Sequence, residues 1–163
     1  ALRRAICRPS SAFTAVNAQS NSANLGFNPV TKYTRADYVC LDDPELRLAS
    51  GTRHGSVHVL ASELKRRMKA NYFTVSLGPK GCVVLNGQKR AVSVPVMSTR
   101  VVDRTGAGDA LFALTSPCAF KGVPPDMLGF IGNCVGAMAV ETVCNRDPVQ
   151  PERLFKFMTA LLK

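Results

Sequence analysis

Asp103-Arg-Thr-Gly-Ala-Gly-Asp-Ala-Leu-Phe112 is the stretch on which the reading of this chain turns. It follows a strand-like run at 91–96 and leads into an apolar run of helical character. Gly106 and Gly108 leave the amides of the turn unobstructed. The first turn of the following helix directs its unpaired N–H donors, and the positive end of its dipole, at whatever lies above. That place suits a phosphate in transfer. Asp109, at the same spot, would repel a phosphate unless it takes a proton beside the migrating group. The plainer alternative is an aspartate capping a helix after a glycine turn. Two other glycine motifs are excluded. A Walker A loop ends in Gly-Lys-Ser/Thr, which the chain lacks, and a dinucleotide fingerprint needs glycine at 111, where Leu111 stands.

Outward from that stretch, apolar runs predict strands at 12–17, 37–41, 72–77, 82–86 and 90–96. Periodic runs predict helices at 43–50, 57–70, 107–121, 125–143 and 151–162. Strand–helix alternation with mostly apolar strands predicts an α/β fold, its mostly parallel sheet covered on both faces. Residues 83–85 and 90–94, joined through Asn86-Gly87, predict a hairpin closed by a type I′ turn. The 125–143 run is apolar nearly all round and should be buried. Its Gly129, Gly132 and Gly136 predict a flat edge against the Asp109 helix. Asn133 in such surroundings needs a partner, either a neighbouring backbone group or a contact near a nucleotide. Pro117 should kink the preceding helix. Leu154, Phe155, Phe157, Met158, Leu161 and Leu162 form a stripe expected to face the core, behind Pro151 at the first helical position. Loops near 20–35 and 144–150, rich in Asn, Pro and Arg, are expected to approach the site.

Asp103-x-x-Gly106-Ala107-Gly108-Asp109-x-x-Phe112 resembles the signature of the ribokinase (PfkB) family of carbohydrate kinases. Asp42-Asp43-Pro44-Glu45 stands where that family has Asn-x-x-Glu, after a strand. Val75-Ser-Leu-Gly78-Pro-Lys-Gly81 resembles its Thr-x-Gly-x-x-Gly strand and turn. Within the family, Val16-Asn-Ala-Gln-Ser-Asn-Ser-Ala-Asn-Leu-Gly-Phe-Asn28 and Ala36-Asp-Tyr-Val-Cys40 look closest to kinases of the heptose-7-phosphate type. The resemblance runs from Phe13 to Lys163 and corresponds to the C-terminal half of a full-length member. It implies that 1–163 is the C-terminal part of a PfkB carbohydrate kinase domain with a ribokinase-like three-layer α/β/α fold. The fold would be incomplete: the N-terminal half, holding the first strands, most sugar contacts and a small β-sheet lid, is either further chain or a partner.

The same resemblance implies ATP and Mg²⁺ as cofactors and an anionic sugar as substrate. A sugar hydroxyl is a poor nucleophile, and Asp109 would take its proton as attack begins. Amides around Gly106, Ala107 and Gly108 would stabilise the γ-phosphoryl oxygens. Asp42 and Glu45, at i and i+3 near a helix start, would organise Mg²⁺ through water; the alternative is an aspartate cap with an acidic first turn. The family's usual Asn at 42 is Asp here, which alters metal affinity or phosphate repulsion. Gly78, Lys80 and Gly81 would shape the nucleotide's edge of the site, or form a plain β-turn. Asp103, Arg104 and Asn133 complete the expected nucleotide contacts. Arg104 replaces a common Thr and either reaches a phosphate or faces solvent. Asn17, Gln19, Asn24 and Asn28 form a polar loop that could bind substrate or cap turns. Further partners are the N-terminal half, a fused nucleotidyltransferase domain or a homodimer copy.

A net charge of +10 and 46% apolar residues fit a domain with a real core and a field attracting anionic substrates. The rival reading is nucleic-acid binding. The densest basic group, Lys65-Arg66-Arg67-x-Lys69, lies at a helix end, where cations complement the dipole. With no Trp and three Tyr, no aromatic residues interleave the charges, which argues against nucleic acid. His54 and His58 flank Gly55 with no third ligand in view and are expected at the surface. Six dispersed cysteines, with Cys40, Cys82 and Cys134 in apolar runs, fit a reducing, cytoplasmic setting. No run of 18 apolar residues occurs, and the basic first eight residues look like an interrupted helix rather than a signal peptide. A sugar kinase is the leading function; a nucleotide-binding scaffold without turnover is the second.

Overall fold

The computed structural model describes residues 12–18, 20, 23, 25–87, 91–98, 101–141, 143 and 146–163. The expectations for the first eight residues, for Gln19 and for Asn24 lie outside the described residues. Five strands, β1 (Ala15–Asn17), β2 (Tyr38–Asp42), β3 (Tyr72–Ser76), β4 (Cys82–Asn86) and β5 (Val92–Val94), form one sheet in chain order. β1, β2 and β3 pair in parallel, whereas β3–β4 and β4–β5 are antiparallel. Only β4 therefore runs against the rest, and the sheet is mixed. The helices are α1 (Asp43–Ser50), α2 (Val57–Arg67), α3 (Ala107–Phe120), α4 (Pro125–Ala139) and α5 (Pro151–Leu161).

Alternation along the strands divides two cores. Val39, Leu41, Phe73, Val75, Val83 and Leu85 face α1 and α2, meeting Leu46, Leu60, Leu64 and Met68. Tyr38, Cys40, Tyr72, Cys82, Val84 and Val94 face α3 and α4, meeting Leu111, Ala119 and Leu128. Both faces are covered, so the strands carry apolar residues on each side, and the architecture is a three-layer α/β/α sandwich. No helix of the described residues is long and apolar enough to cross a membrane.

Several element ends differ from expectation, each for a local reason. α2 stops at Arg67 because Met68 leaves helical geometry and Lys69 turns to φ 51°, while Ala70 N–H returns to the Lys65 carbonyl at 3.0 Å. α4 ends at Ala139, and the next carbonyl, Val140 O, accepts two amides from another loop. β5 ends at Val94 because Pro95 offers no N–H to the ladder. The β4–β5 hairpin exists, yet Val84 pairs with Val92, leaving seven residues between them. The expected type I′ turn belongs to a connection that includes residues 88–90, which lie outside the described residues.

The glycine edge of α4 also divides its work. A Cβ on Gly132 would lie 3.2 Å from Thr115 Cγ2, so this glycine meets α3. At Gly129 it would lie 2.6 Å from Val94 Cγ2, against the sheet, and at Gly136 it would meet nothing. On α5, Leu154 is buried and Phe157 and Met158 pack beside it, but Phe155, Leu161 and Leu162 are exposed, so half of the expected core stripe faces outward. Pro117 lies inside α3, which continues to Phe120.

Candidate active site

β2 ends at the edge of the sheet where α1 begins, and the junction is a reciprocal capping box. Asp42 Oδ1 accepts Glu45 N–H at 2.7 Å, and Glu45 Oε2 accepts Asp42 N–H at 3.0 Å. The capping alternative for these two residues is thus realised. Each carboxylate has a second oxygen. Burial raises both carboxyls above the ordinary range against the pull of the backbone N–H bonds. Glu45 also feels the charges of Asp42 and, more weakly, Asp109. α3 lies against β2 through the Tyr38–Thr115 and Tyr38–Phe112 contacts, which sets Asp109, in its first turn, on the helix that packs beside the strand ending at Asp42.

The turn before α3 is built from short ties. Asp103 Oδ1 accepts Thr105 N–H at 2.9 Å and its hydroxyl at 2.8 Å. Val140 O accepts the amides of Val102 and Asp103, at 2.8 and 3.0 Å, which pins the loop to the end of α4. Gly106 then sits at φ 76°, in the left-handed region, and caps α3 without a side-chain bond. Ala107 N–H turns back to the Arg104 carbonyl at 3.3 Å, and Ala110 N–H reaches Gly106 O at 2.9 Å. Among the described residues nothing accepts from the amides of Gly106, Gly108 and Asp109. The open donors therefore differ by one from the expected set: the Ala107 amide is engaged, and that of Asp109 is open. Gly108 and Asp109 are exposed, so the turn faces outward.

Gly78, Lys80 and Gly81 lie in the five-residue connection between β3 and β4, with Gly81 N–H bonded to Gly78 O at 3.0 Å. Gly81 is buried at φ 87°, and a Cβ there would collide with the Val94 carbonyl and Pro95 backbone. Lys80 and Arg104 are exposed. Asn133 is buried, and its Nδ2 donates to Val94 O at 3.0 Å and Pro95 O at 2.8 Å. Its amide N–H groups thus follow the backbone alternative and brace the end of β5. His54 precedes α2 and His58 lies on it, both exposed, with Nε2 of His58 3.4 Å from Ser93 Oγ.

Among the described residues no group of three or more His, Cys, Asp or Glu side chains is placed to hold a metal. The two ion pairs there, Arg35–Asp37 and Arg47–Asp43, leave Asp42 and Glu45 without a basic partner. An exposed Asp42 and a partly buried Glu45, with no basic partner among the described residues, fit a hydrated divalent cation that takes its remaining ligands from water and phosphate. The sequence did not reveal Thr105 and Val140 as parts of the turn. The Asp-x-Thr spacing carries a local signal for Thr105, whereas the Val140 tie is long-range and has none.

The profile of the pfkB family of carbohydrate kinases matches residues 6–152. The chain is 31% identical over 100 residues to the bifunctional protein HldE of Koribacter versatilis, covering 61% of this chain and 20% of that one. It is 40% identical over 87 residues to an uncharacterized sugar kinase of Archaeoglobus fulgidus, covering 53% and 34% of the two chains. The chain thus spans about a fifth to a third of these curated relatives. Among solved structures, the fold matches ribokinase from Thermotoga maritima with a TM-score of 0.77 at 17% identity, over 95% of this chain and 52% of that one.

Proposed function

Because the chain belongs to the pfkB family of carbohydrate kinases, we propose that it forms the C-terminal part of an ATP-dependent kinase acting on a hydroxyl of a sugar or sugar phosphate. One observation carries this reading: at the start of α3, three uncommitted amides and an exposed carboxylate share one outward-facing turn. Asp109 accepts the proton of the attacking hydroxyl. The amides of Gly106, Gly108 and Asp109 take up charge on the transferred phosphoryl oxygens, in a geometry already set by the ties to Asp103 and Val140. Asp42 and Glu45 would hold Mg²⁺ through its water shell; bound there, the ion supplies positive charge to the phosphates. Arg104 and the Gly78–Gly81 connection with Lys80 flank the nucleotide. Asp103 and Asn133 act by holding backbone.

A heptose-phosphate-like acceptor and a fused nucleotidyltransferase domain are what the resemblance of residues 16–28 and 36–40 implies, and the 31% identity to a protein named as bifunctional supports a second domain. The remaining half of the kinase fold would come from further chain or a partner, since this chain matches 52% of the solved ribokinase. The same fact favours a second reading, a nucleotide-binding scaffold without turnover of its own. Among the described residues four of the six cysteines are present and free, three of them buried, which supports a reducing, cytoplasmic setting. The experiment is phosphoryl transfer from MgATP to heptose 7-phosphate, ribose or fructose 6-phosphate by the full-length protein. Asp109→Asn should abolish transfer and spare nucleotide binding. Full activity in that variant overturns the assignment of Asp109 as the base.

A further inference from the structure

We propose that Tyr38 and Thr115 are a positioning pair, setting the height of α3 along β2 and with it the separation of Asp109 from Glu45. The inference rests on the kinase reading of Asp109. The Tyr38 hydroxyl lies 2.8 Å from Thr115 Oγ1, with both residues almost fully buried. Thr115 gives its one hydroxyl hydrogen to Leu111 O at 2.6 Å, so Tyr38 is the donor between them. Burial pushes the Tyr38 hydroxyl well above its ordinary value, which keeps that proton in place. The Tyr38 ring stacks on Phe112, one turn before Thr115, at 6.0 Å between centroids.

Packing alone would not need these hydroxyls. Cys40, Cys82 and Leu111 share the same core, and a phenylalanine facing a valine would avoid burying two polar groups there. What the pair adds is direction. α3 buries only Leu111, Thr115 and Ala119, a narrow contact along which an apolar helix can slide. A hydrogen bond between one strand residue and one helix residue fixes that slide. Thr115 stands six residues from Asp109, about 9 Å along the helix. Tyr38 stands four residues before Asp42, about 13 Å along the strand. Each partner therefore sits on the same rigid element as one half of the site. A displacement of about 1 Å at a reacting group is enough to slow transfer severely.

The test uses the full-length protein carrying Tyr38→Phe, Thr115→Val, both together, and Thr115→Ser. Each single variant should lower kcat about tenfold, with the KM for MgATP changed less than about twofold. The double variant should be no slower than either single, since both remove one interaction. Thr115→Ser, which keeps the hydroxyl, should restore the rate. Amide exchange should quicken at 107–114 while β2 and β3 stay protected. Unchanged kcat in folded variants, additive losses, or a uniform rise in exchange overturns the proposal. Asp109→Asn separates the two ideas: retained transfer there removes the base role of Asp109, while the exchange pattern still decides whether the pair holds α3.

Discussion

Asp42 and Glu45 clasp each other's backbone, each carboxylate accepting the N–H of the other residue. A cap of this kind is worth about 1 kcal/mol, so Asp42→Ala should lose that much in denaturant unfolding. Glu45→Gln keeps an acceptor for the Asp42 amide and removes the charge. That variant should melt close to the wild type yet need more Mg²⁺ for transfer, which separates the capping role from the metal role. The pH dependence follows from burial, which raises Glu45 above its ordinary 4.5. The folded state then binds the proton more tightly than the unfolded one. Metal-free protein should lose stability as pH rises from 4.5 through the raised value, and Glu45→Gln should flatten that loss.

Gly81 has no room for a side chain, because the Val94 carbonyl and Pro95 occupy the position of a Cβ. Its φ of 87° adds strain for any other residue. Gly81→Ala should cost more than about 2 kcal/mol by thermal unfolding, with the loss centred on the β3–β4 connection in amide exchange.

Asn133→Ala leaves the Val94 and Pro95 carbonyls without the donor that now serves both. The expected penalty is about 1–3 kcal/mol in unfolding free energy. Nucleotide affinity, measured by calorimetry well below the melting point, should stay within about threefold if the residue only braces β5. A larger loss of affinity without destabilisation would place it at the ligand instead.

Lys69 ends α2 at φ 51°, a conformation that costs an L-residue about 1 kcal/mol or more. Lys69→Gly should therefore raise stability by up to about 1 kcal/mol, read as a higher urea midpoint at unchanged slope.

Local signals in the sequence carried most of the fold. The Asp42-x-x-Glu45 spacing marked the start of α1, and Gly106-Ala107-Gly108 marked the start of α3, because caps and turns are decided by neighbouring residues. What escaped depends on groups far apart in the chain. Lys69 gives no sign of a left-handed turn, since nothing in a basic helix end forbids another residue or two. The α5 stripe has the right period, yet period alone does not say which half of an apolar face finds a neighbour, and Phe155 is left exposed. Asn133 could be read either way until Val94 and Pro95 appeared beside it. At the proposed site the turn and the helix start at Ala107 were legible, while the loss of the Ala107 amide to Arg104 was not.

Val140 carries the glycine loop on a single carbonyl oxygen, at the far end of the helix whose Gly129 is wedged against the sheet. Eleven residues, or about 16 Å of stiff rod, join the wedge to the peg. Enlarging residue 129 would thus be felt remotely, as a displaced loop ahead of α3 at a place the substitution never touches. A survey of loss-of-function changes in this protein should find such distant levers alongside the residues that meet substrate.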